Sequence, residues 1–348
     1  MILDRVIKNR EDRKNGVVKA IPCTLERFNN LWPGLLKGDY LCITGSTSSG
    51  KTTLMKKIAV IDSIEYAIQT NLDLKILYFG LEESEEQFDY TILAYLIYKK
   101  FKVRYNIIDF LSIKDVLPKE VLGYIKEVSE EFNVFKSYII YHDNTYNPFG
   151  IYKLIRDFAD TRGTFDKAHD EDENWSFYTP NNPNEFVIVV VDHLSLLSPE
   201  TKHMNKLDLA MQDLSMYLRT KASKKFNYCV VVVHQQMAES EDLEHVKSKR
   251  WMPTLQGAAD NKRITRDYLT VIGIGNPSRY RIKNHEGYEI NQYNGYLRFI
   301  EILKQRYGQV PDRELPIFID GKVNYIHTAP YPNQVQPLLE HIKTISYG

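Results

Sequence analysis

Apolar positions along this chain follow two alternating patterns. Short, nearly continuous runs rich in β-branched and aromatic residues occur at Leu41-Cys42-Ile43-Thr44, Lys75 to Phe79, Ser137 to Tyr141, Phe186 to Val191, Tyr228 to Val233 and Tyr268 to Ile274. Strands buried on both faces of a parallel sheet read this way, because crossover helices cover both sides. Between the runs, apolar residues recur every three or four positions: Thr53 to Ala67 carries Leu54, Ile58, Ile61, Ile64 and Tyr66 at helical spacing. Glu82 to Tyr98 reads as a second helix, with acids in its first turn beside the positive end of the helix dipole. The pattern predicts an α/β fold. After Ile274 it changes to alternation around Tyr293 to Leu303 and Leu315 to Ile319, with turn signals at Asn294-Gly295 and Asp320-Gly321. Antiparallel strands that end the sheet are expected there.

Three segments depart from this rhythm. Residues 1–18 form an expected arm, in which Ile2, Leu3, Val6 and Ile7 line one helical side before Gly16 stops the pattern; a frayed terminal helix and an arm that docks on a neighbour both fit. Asp160 to Glu185 holds seven acids against two bases and closes on Pro180-Asn-Asn-Pro-Asn184. It reads as a surface insertion, either a solvated loop or a partner-binding one, within a single motor-sized domain spanning 19–328. Residues 329–348 are read as a C-terminal tail.

Composition narrows the class without choosing a function. The 348 residues are 43% hydrophobic and 26% charged, with 17 Gly and 14 Pro, which excludes disordered and collagen-like chains. Apolar runs stay well short of a membrane span, and Asp4, Arg5 and Lys8 break any leader-like stretch, so a cytoplasmic protein is expected, in the host cytoplasm if a phage encodes it. Cys23, Cys42 and Cys229 are far apart and suit buried thiols. Lysine and arginine total 45 and the acids 45, so any nucleic-acid surface has to be local.

One motif carries chemistry by itself. Gly45-Ser46-Thr47-Ser48-Ser49-Gly50-Lys51-Thr52, followed by Thr53, fits G-x-x-x-x-G-K-[ST] between an expected strand and an expected helix. The glycines let backbone N–H groups curl around a phosphate, Lys51 supplies a cation to the β/γ oxygens, and the Thr52 hydroxyl is a ligand for Mg²⁺, so ATP with Mg²⁺ is the expected cargo. Phe186 to Val191 ends in Asp192, at the strand edge where a carboxylate meets the magnesium; capping of the following turn is the alternative. Glu82 and Glu83 follow the strand Ile76 to Phe79. Glu82 is the expected general base for an attacking water, against plain acidic capping of the next helix.

With these residues in place, the chain resembles the motor domain of DnaB-type hexameric replicative helicases. That implies a RecA-like P-loop NTPase core with a mostly parallel central sheet flanked by helices. The likeness runs through Ile21-Pro22, Leu25 to Phe28, Gly34 to Tyr40, Gly80-Leu81-Glu82, Asp192 with Leu194, and Val231 to Gln235. By resemblance Glu82 is the catalytic glutamate and Gln235 senses the γ-phosphate, with His234 beside it as the competing assignment. Ile302-Leu-Lys304-Gln-Arg306-Tyr-Gly308 is similar to the family's K-x-R, whose two cations reach into the neighbouring subunit's ATP site. Residues two apart on a strand share a face, so Lys304 and Arg306 are expected to project together as a finger pair, unless they merely guard an edge strand.

His245 to Arg266 holds six basic residues against one acid and matches the position of the family's central-channel DNA loop. Lys249, Arg250, Lys262 and Arg263 are the expected phosphate contacts, with Gln256 and Gly257 in a small-residue loop; relatives often have Leu-Arg where this chain has Leu255-Gln256. The implied partners are single-stranded and replication-fork DNA, further copies in a homohexamer, and a primase or helicase loader, with no membrane. The implied activity is ATP-driven 5′ to 3′ unwinding. With about forty residues before the phosphate loop, the family's extra N-terminal domain is expected to be missing. A RecA-like recombinase and a nucleotide-gated binding module are the competing classes.

Overall fold

The computed structural model describes residues 2–166, 177–236, 251–258 and 262–346. Its centre is a nine-stranded sheet, here numbered in chain order: β1 Tyr40–Gly45, β2 Leu74–Gly80, β3 Ile139–His142, β4 Phe186–Asp192, β5 Cys229–Gln235, β6 Thr270–Gly275, β7 Leu297–Lys304, β8 Leu315–Asp320 and β9 Tyr325–Thr328. Across the sheet the order is β9-β8-β7-β6-β1-β5-β4-β2-β3. The six strands from β6 to β3 run parallel, while β7, β8 and β9 pair antiparallel at the other end. The expected α/β class and the antiparallel ending are both present.

Alternation within the buried strands explains the two helical layers. Leu41 and Ile43 of β1 face one cluster, where Leu54, Ile58, Phe88, Tyr95 and Phe135 from three helices cover the sheet. Tyr40 and Cys42 face the other, against Ile151, Ile155, Met211 and Leu214. The first layer comprises a long helix α2, which runs Lys51–Met55, passes through a π-turn at Lys56–Ile61 and continues as Asp62–Thr70, together with α3 Glu85–Phe101 and α4 Lys119–Ser137. The second comprises α5 Pro148–Arg162 and α6 Leu207–Tyr217. α1, Ile2–Lys14, lies at the amino end, and Ile2, Leu3, Val6 and Ile7 along it are exposed.

The structure moves several boundaries. α3 starts three residues later than its acidic pattern suggests, because Ser84 caps it in a reciprocal box with Gln87 and leaves Glu82 and Glu83 in the loop after β2. The 160–185 segment is not simply a solvated loop: α5 continues to Arg162, and Gly163–Asp166 pairs with Phe177–Pro180 as a hairpin. Phe165 and Tyr178 anchor it, with ring centroids 5.7 and 5.2 Å from Phe226. Its acids Asp170 to Glu173 lie outside the described residues. The C-terminal stretch is not a loose tail, since α8, Gln336–Ser346, buries Leu338 and Ile342 against Phe299 and Phe318. The three cysteines are buried free thiols, and among the described residues no helix is long and apolar enough to cross a membrane.

Candidate functional site

The carboxyl ends of the parallel strands bring most of the sequence-predicted residues together. Register sets this directly: Gly45 pairs with Gln235 across β1 and β5, and Gly80 pairs with Asp192 across β2 and β4. The phosphate loop therefore has Gln235 beside its entry, with Asp192 and the Glu82 loop next along the same edge.

Close packing dictates the residues at the entry to the loop. A Cβ at Gly45 would sit 2.4 Å from the Ile274 carbonyl oxygen and 2.5 Å from Ser49 Oγ, so only glycine fits there. Ser48 and Gly50 take left-handed backbone angles, φ 60° and 102°, and Gly50 caps α2. The turn closes with the Ser49 N–H on the Ser46 carbonyl at 3.2 Å, and the buried Lys51 ammonium donates to the same oxygen at 2.8 Å. Ser49 Oγ is buried with no hydrogen-bond partner among the described residues. An orphaned hydroxyl, a lysine and a helix N-terminus around one small hollow fit an anion such as a nucleotide phosphate. Thr53 lies one residue further along α2.

Thr52 Oγ1 donates to Asp192 Oδ1 at 3.1 Å. Burial pushes the Asp192 carboxyl up to about 7; Lys56 and the Thr52 hydroxyl act against this, and Glu83 and Glu82 add to it. A hydroxyl and a buried carboxylate form the all-oxygen, hard donor set that suits magnesium, whose charge would hold Asp192 ionised.

The two glutamates after β2 are placed differently. Glu83 is fully engaged: Lys56 Nζ lies 2.8 Å from its Oε2 and the Tyr78 hydroxyl 3.2 Å from its Oε1. Tyr78 also approaches Asp192 Oδ2 at 3.3 Å, so one hydroxyl proton is shared between two carboxylates. Glu82 has a side chain 59% exposed, and its nearest charged neighbour is His193 Nε2 at 3.7 Å. Of the two, Glu82 has the carboxylate open to water. Lys56, Tyr78 and His193 escape a reading by motif; the only trace of them is a tyrosine and a lysine at positions that should be fully apolar.

Gln235 Nε2 donates to Thr47 Oγ1 at 2.7 Å, on the loop itself. His234 is turned to the other face of β5, where its Nδ1 lies 3.2 Å from the Tyr268 hydroxyl in the core. The next residue, Gln236, is buried and clamps Thr44 Oγ1 at 2.9 Å and the Thr254 carbonyl at 3.1 Å. Thr254 in turn caps the turn holding Gln256 and Gly257, accepting the Gly257 N–H at 3.0 Å. Lys249 and Arg250 lie outside the described residues, as do the side chains of Lys262 and Arg263, whose backbone forms α7, Lys262–Asp267.

Lys304 and Arg306 do not join this edge. Because β7 is antiparallel to β6, Lys304 pairs with Val271 near the amino end of that strand, on the side of the sheet away from the loop. The strand stops at Lys304, so Arg306 sits in the following turn and the shared-face argument for the pair does not apply. Lys304 Nζ binds the Thr265 carbonyl at 2.7 Å, and burial together with the nearby Arg306 lowers its pKa. Arg306 is exposed, without a hydrogen-bond or ion-pair partner among the described residues.

Fold and site together define a domain of RecA-like fold with a phosphate loop at the carboxyl edge of its parallel strands. Among solved structures it is similar to a helicase ATPase domain, with a TM-score of 0.69 over 95% of this chain and 99% of that one. It is also similar to a DnaB-like replicative helicase, solved with attention to its interactions with primase, with a TM-score of 0.67 over 92% of this chain and 67% of that one. Identity is 15% in both cases, so the likeness is one of fold. No protein-family model matches the chain, and no curated protein matches it in sequence.

Proposed function

We propose that the chain is an ATP-driven, ring-forming DNA helicase of the DnaB kind, which hydrolyses ATP at subunit interfaces and moves 5′ to 3′ on single-stranded DNA. The observation that carries this reading is the gathering of the phosphate loop, Asp192, Glu82 and Gln235 at one sheet edge, while Arg306 stands exposed at the other. A nucleotide site lacking its own arginine needs a neighbour to supply one, and a head-to-tail ring does so at every interface.

Within that reading, the loop amides and Lys51 hold the phosphates, and Thr52 with Asp192 would hold the magnesium, which screens phosphate charge. Glu82 takes a proton from the attacking water as its oxygen bonds to the γ-phosphorus and the bond to the ADP oxygen breaks. Gln235 reads the γ-phosphate from Thr47, and Gln236 carries the change to the Thr254 turn and so to the DNA loop. The exposed apolar side of α1 suits docking on an adjacent subunit. A primase or loader is a further partner of this reading.

The test combines ATPase measurements, with and without single-stranded DNA, and negative-stain microscopy with an ATP analogue. A closed ring and stimulation by DNA are expected. An open filament would point to a recombinase, and turnover indifferent to DNA would remove the motor.

A further inference from the structure

The phosphate loop is gripped from behind. Three successive carbonyls are each taken by a side-chain donor from one short region between β6 and β7. The Arg279 guanidinium donates to the Thr47 carbonyl, Asn276 Nδ2 to the Ser48 carbonyl at 3.3 Å, and Arg298 Nε to the Ser49 carbonyl at 3.0 Å. Arg298 also ties down its own strand entry through the carbonyls of Gly295 and Leu297, the latter at 2.9 Å. In a planar trans peptide the carbonyl and the next N–H point in opposite directions. Holding the carbonyls of residues 47, 48 and 49 toward β6 and β7 therefore aims the N–H groups of Ser48, Ser49 and Gly50 into the hollow. The Ser46 carbonyl, by contrast, faces inward and accepts from both Lys51 and the Ser49 N–H. That oxygen takes the bonds a phosphate oxygen would take.

We infer that Asn276, Arg279 and Arg298 are positioning residues for phosphate binding, an outer clamp that keeps the loop's amides turned inward. The inference rests on the reading of Gly45 to Thr52 as a nucleotide phosphate site. It goes beyond that reading, because these residues belong to no phosphate-loop motif and none of them needs to touch the ligand.

The chemistry of Arg298 shows that the clamp is more than packing. Among the described residues it makes no ion pair, and burial alone pushes its pKa down to about 10. A desolvated cation without a carboxylate is costly, and a polyphosphate on the far side of the loop offsets that cost. Asn276 fits the same purpose: its Oδ1 is buried without a partner among the described residues, so the side chain is held for its amide nitrogen. Arg279 lies on an exposed turn and contributes little to the core.

The test uses the full chain and MgADP, with affinity measured by calorimetry and melting measured without nucleotide. Arg279→Ala and Arg298→Met are each expected to weaken MgADP by about tenfold or more, the loss of one charge-assisted hydrogen bond to the loop. Arg298→Lys should recover part of that, since it keeps the charge and loses the fork. In the ATPase reaction the change should fall on KM more than on kcat. A merely structural role would lower the melting temperature and leave affinity alone. Arg279→Ala, on its exposed turn, keeps the question answerable if Arg298→Met fails to fold. Lys51→Ala is the reference. If it loses binding while folded clamp variants bind within twofold of the parent, the clamp is refuted and the phosphate loop stands. If Lys51→Ala also binds normally, both fail.

Discussion

Arg306→Ala tests the ring, the shared site and the motor chemistry in one substitution. The structure fixes what the residue is able to reach. Arg298 touches the phosphate loop of its own chain, and from there β7 runs on to Lys304, a distance of about 20 Å at the rise of an antiparallel strand. Arg306 lies beyond that point, so its guanidinium acts on a nucleotide only across an interface. Being exposed, it should cost the fold no more than about 0.5 kcal/mol when truncated. An arginine supplied in trans is worth about 10³ to 10⁵ in rate, or about 4 to 7 kcal/mol of barrier, so hydrolysis should collapse while nucleotide binding and assembly persist. Mixing makes the assay decisive. An Arg306→Ala subunit keeps its phosphate loop and a Lys51→Ala subunit keeps its finger, so about a quarter of the interfaces in a random head-to-tail ring rebuild a complete site. Steady-state ATPase of the equimolar mixture should rise toward that fraction of the parent rate once subunits exchange. A mixture that stays inactive although mixed rings form, or an Arg306→Ala protein with full activity, would refute the reasoning and leave Arg306 as a surface cation.

Glu82→Gln should bind ATP normally and hydrolyse it about 10² to 10⁴ times more slowly in a single-turnover assay, because the amide accepts no proton; unchanged turnover would shift the base to Glu83, against its engagement by Lys56 and Tyr78. Affinity for single-stranded DNA should fall with salt at a log–log slope of about −0.7 per phosphate neutralised, and replacing Lys249, Arg250, Lys262 and Arg263 by Ala should flatten it. An unaltered slope in that variant would place the strand elsewhere. Asp39 supplies a stability test: it is fully buried, burial raises its pKa to about 6, and it accepts bonds from the Tyr40 N–H at 2.7 Å and Thr270 Oγ1 at 3.0 Å. A folded-state value above the unfolded one means that the folded protein holds the proton longer, so this group costs stability increasingly from about pH 4 to pH 6, by up to about 3 kcal/mol. Asp39→Asn should therefore gain on the parent in melting temperature as pH rises through that window, and a constant gap would contradict it.

How much of this was legible in the sequence depends on the range over which each signal acts. The strands of the parallel sheet were readable because burial on both faces leaves a continuous apolar run, and β7 and β8 because one-sided burial leaves alternation. The phosphate loop was readable because its constraints are local: Gly45 is required by the Ile274 carbonyl behind it, and Gly50 by its own backbone angle. Gln235 and Asp192 could be placed because each ends such a run, and register then carries both to the loop. Where the reading went astray, a long-range contact had displaced a local rule. Two-residue periodicity put Lys304 and Arg306 on one face, but the strand ends between them and Lys304 turns back to the carbonyls at the end of α7. The acidic insertion and the tail read as solvated because their charges dominate, whereas Phe165, Tyr178, Leu338 and Ile342 decide where they lie. Asn276, Arg279 and Arg298 were the least legible of all. More than two hundred residues separate them from the loop they grip, and their partners are backbone carbonyls, which every sequence supplies and none advertises. A donor that serves a carbonyl has no partner residue to match, so only the folded chain reveals it.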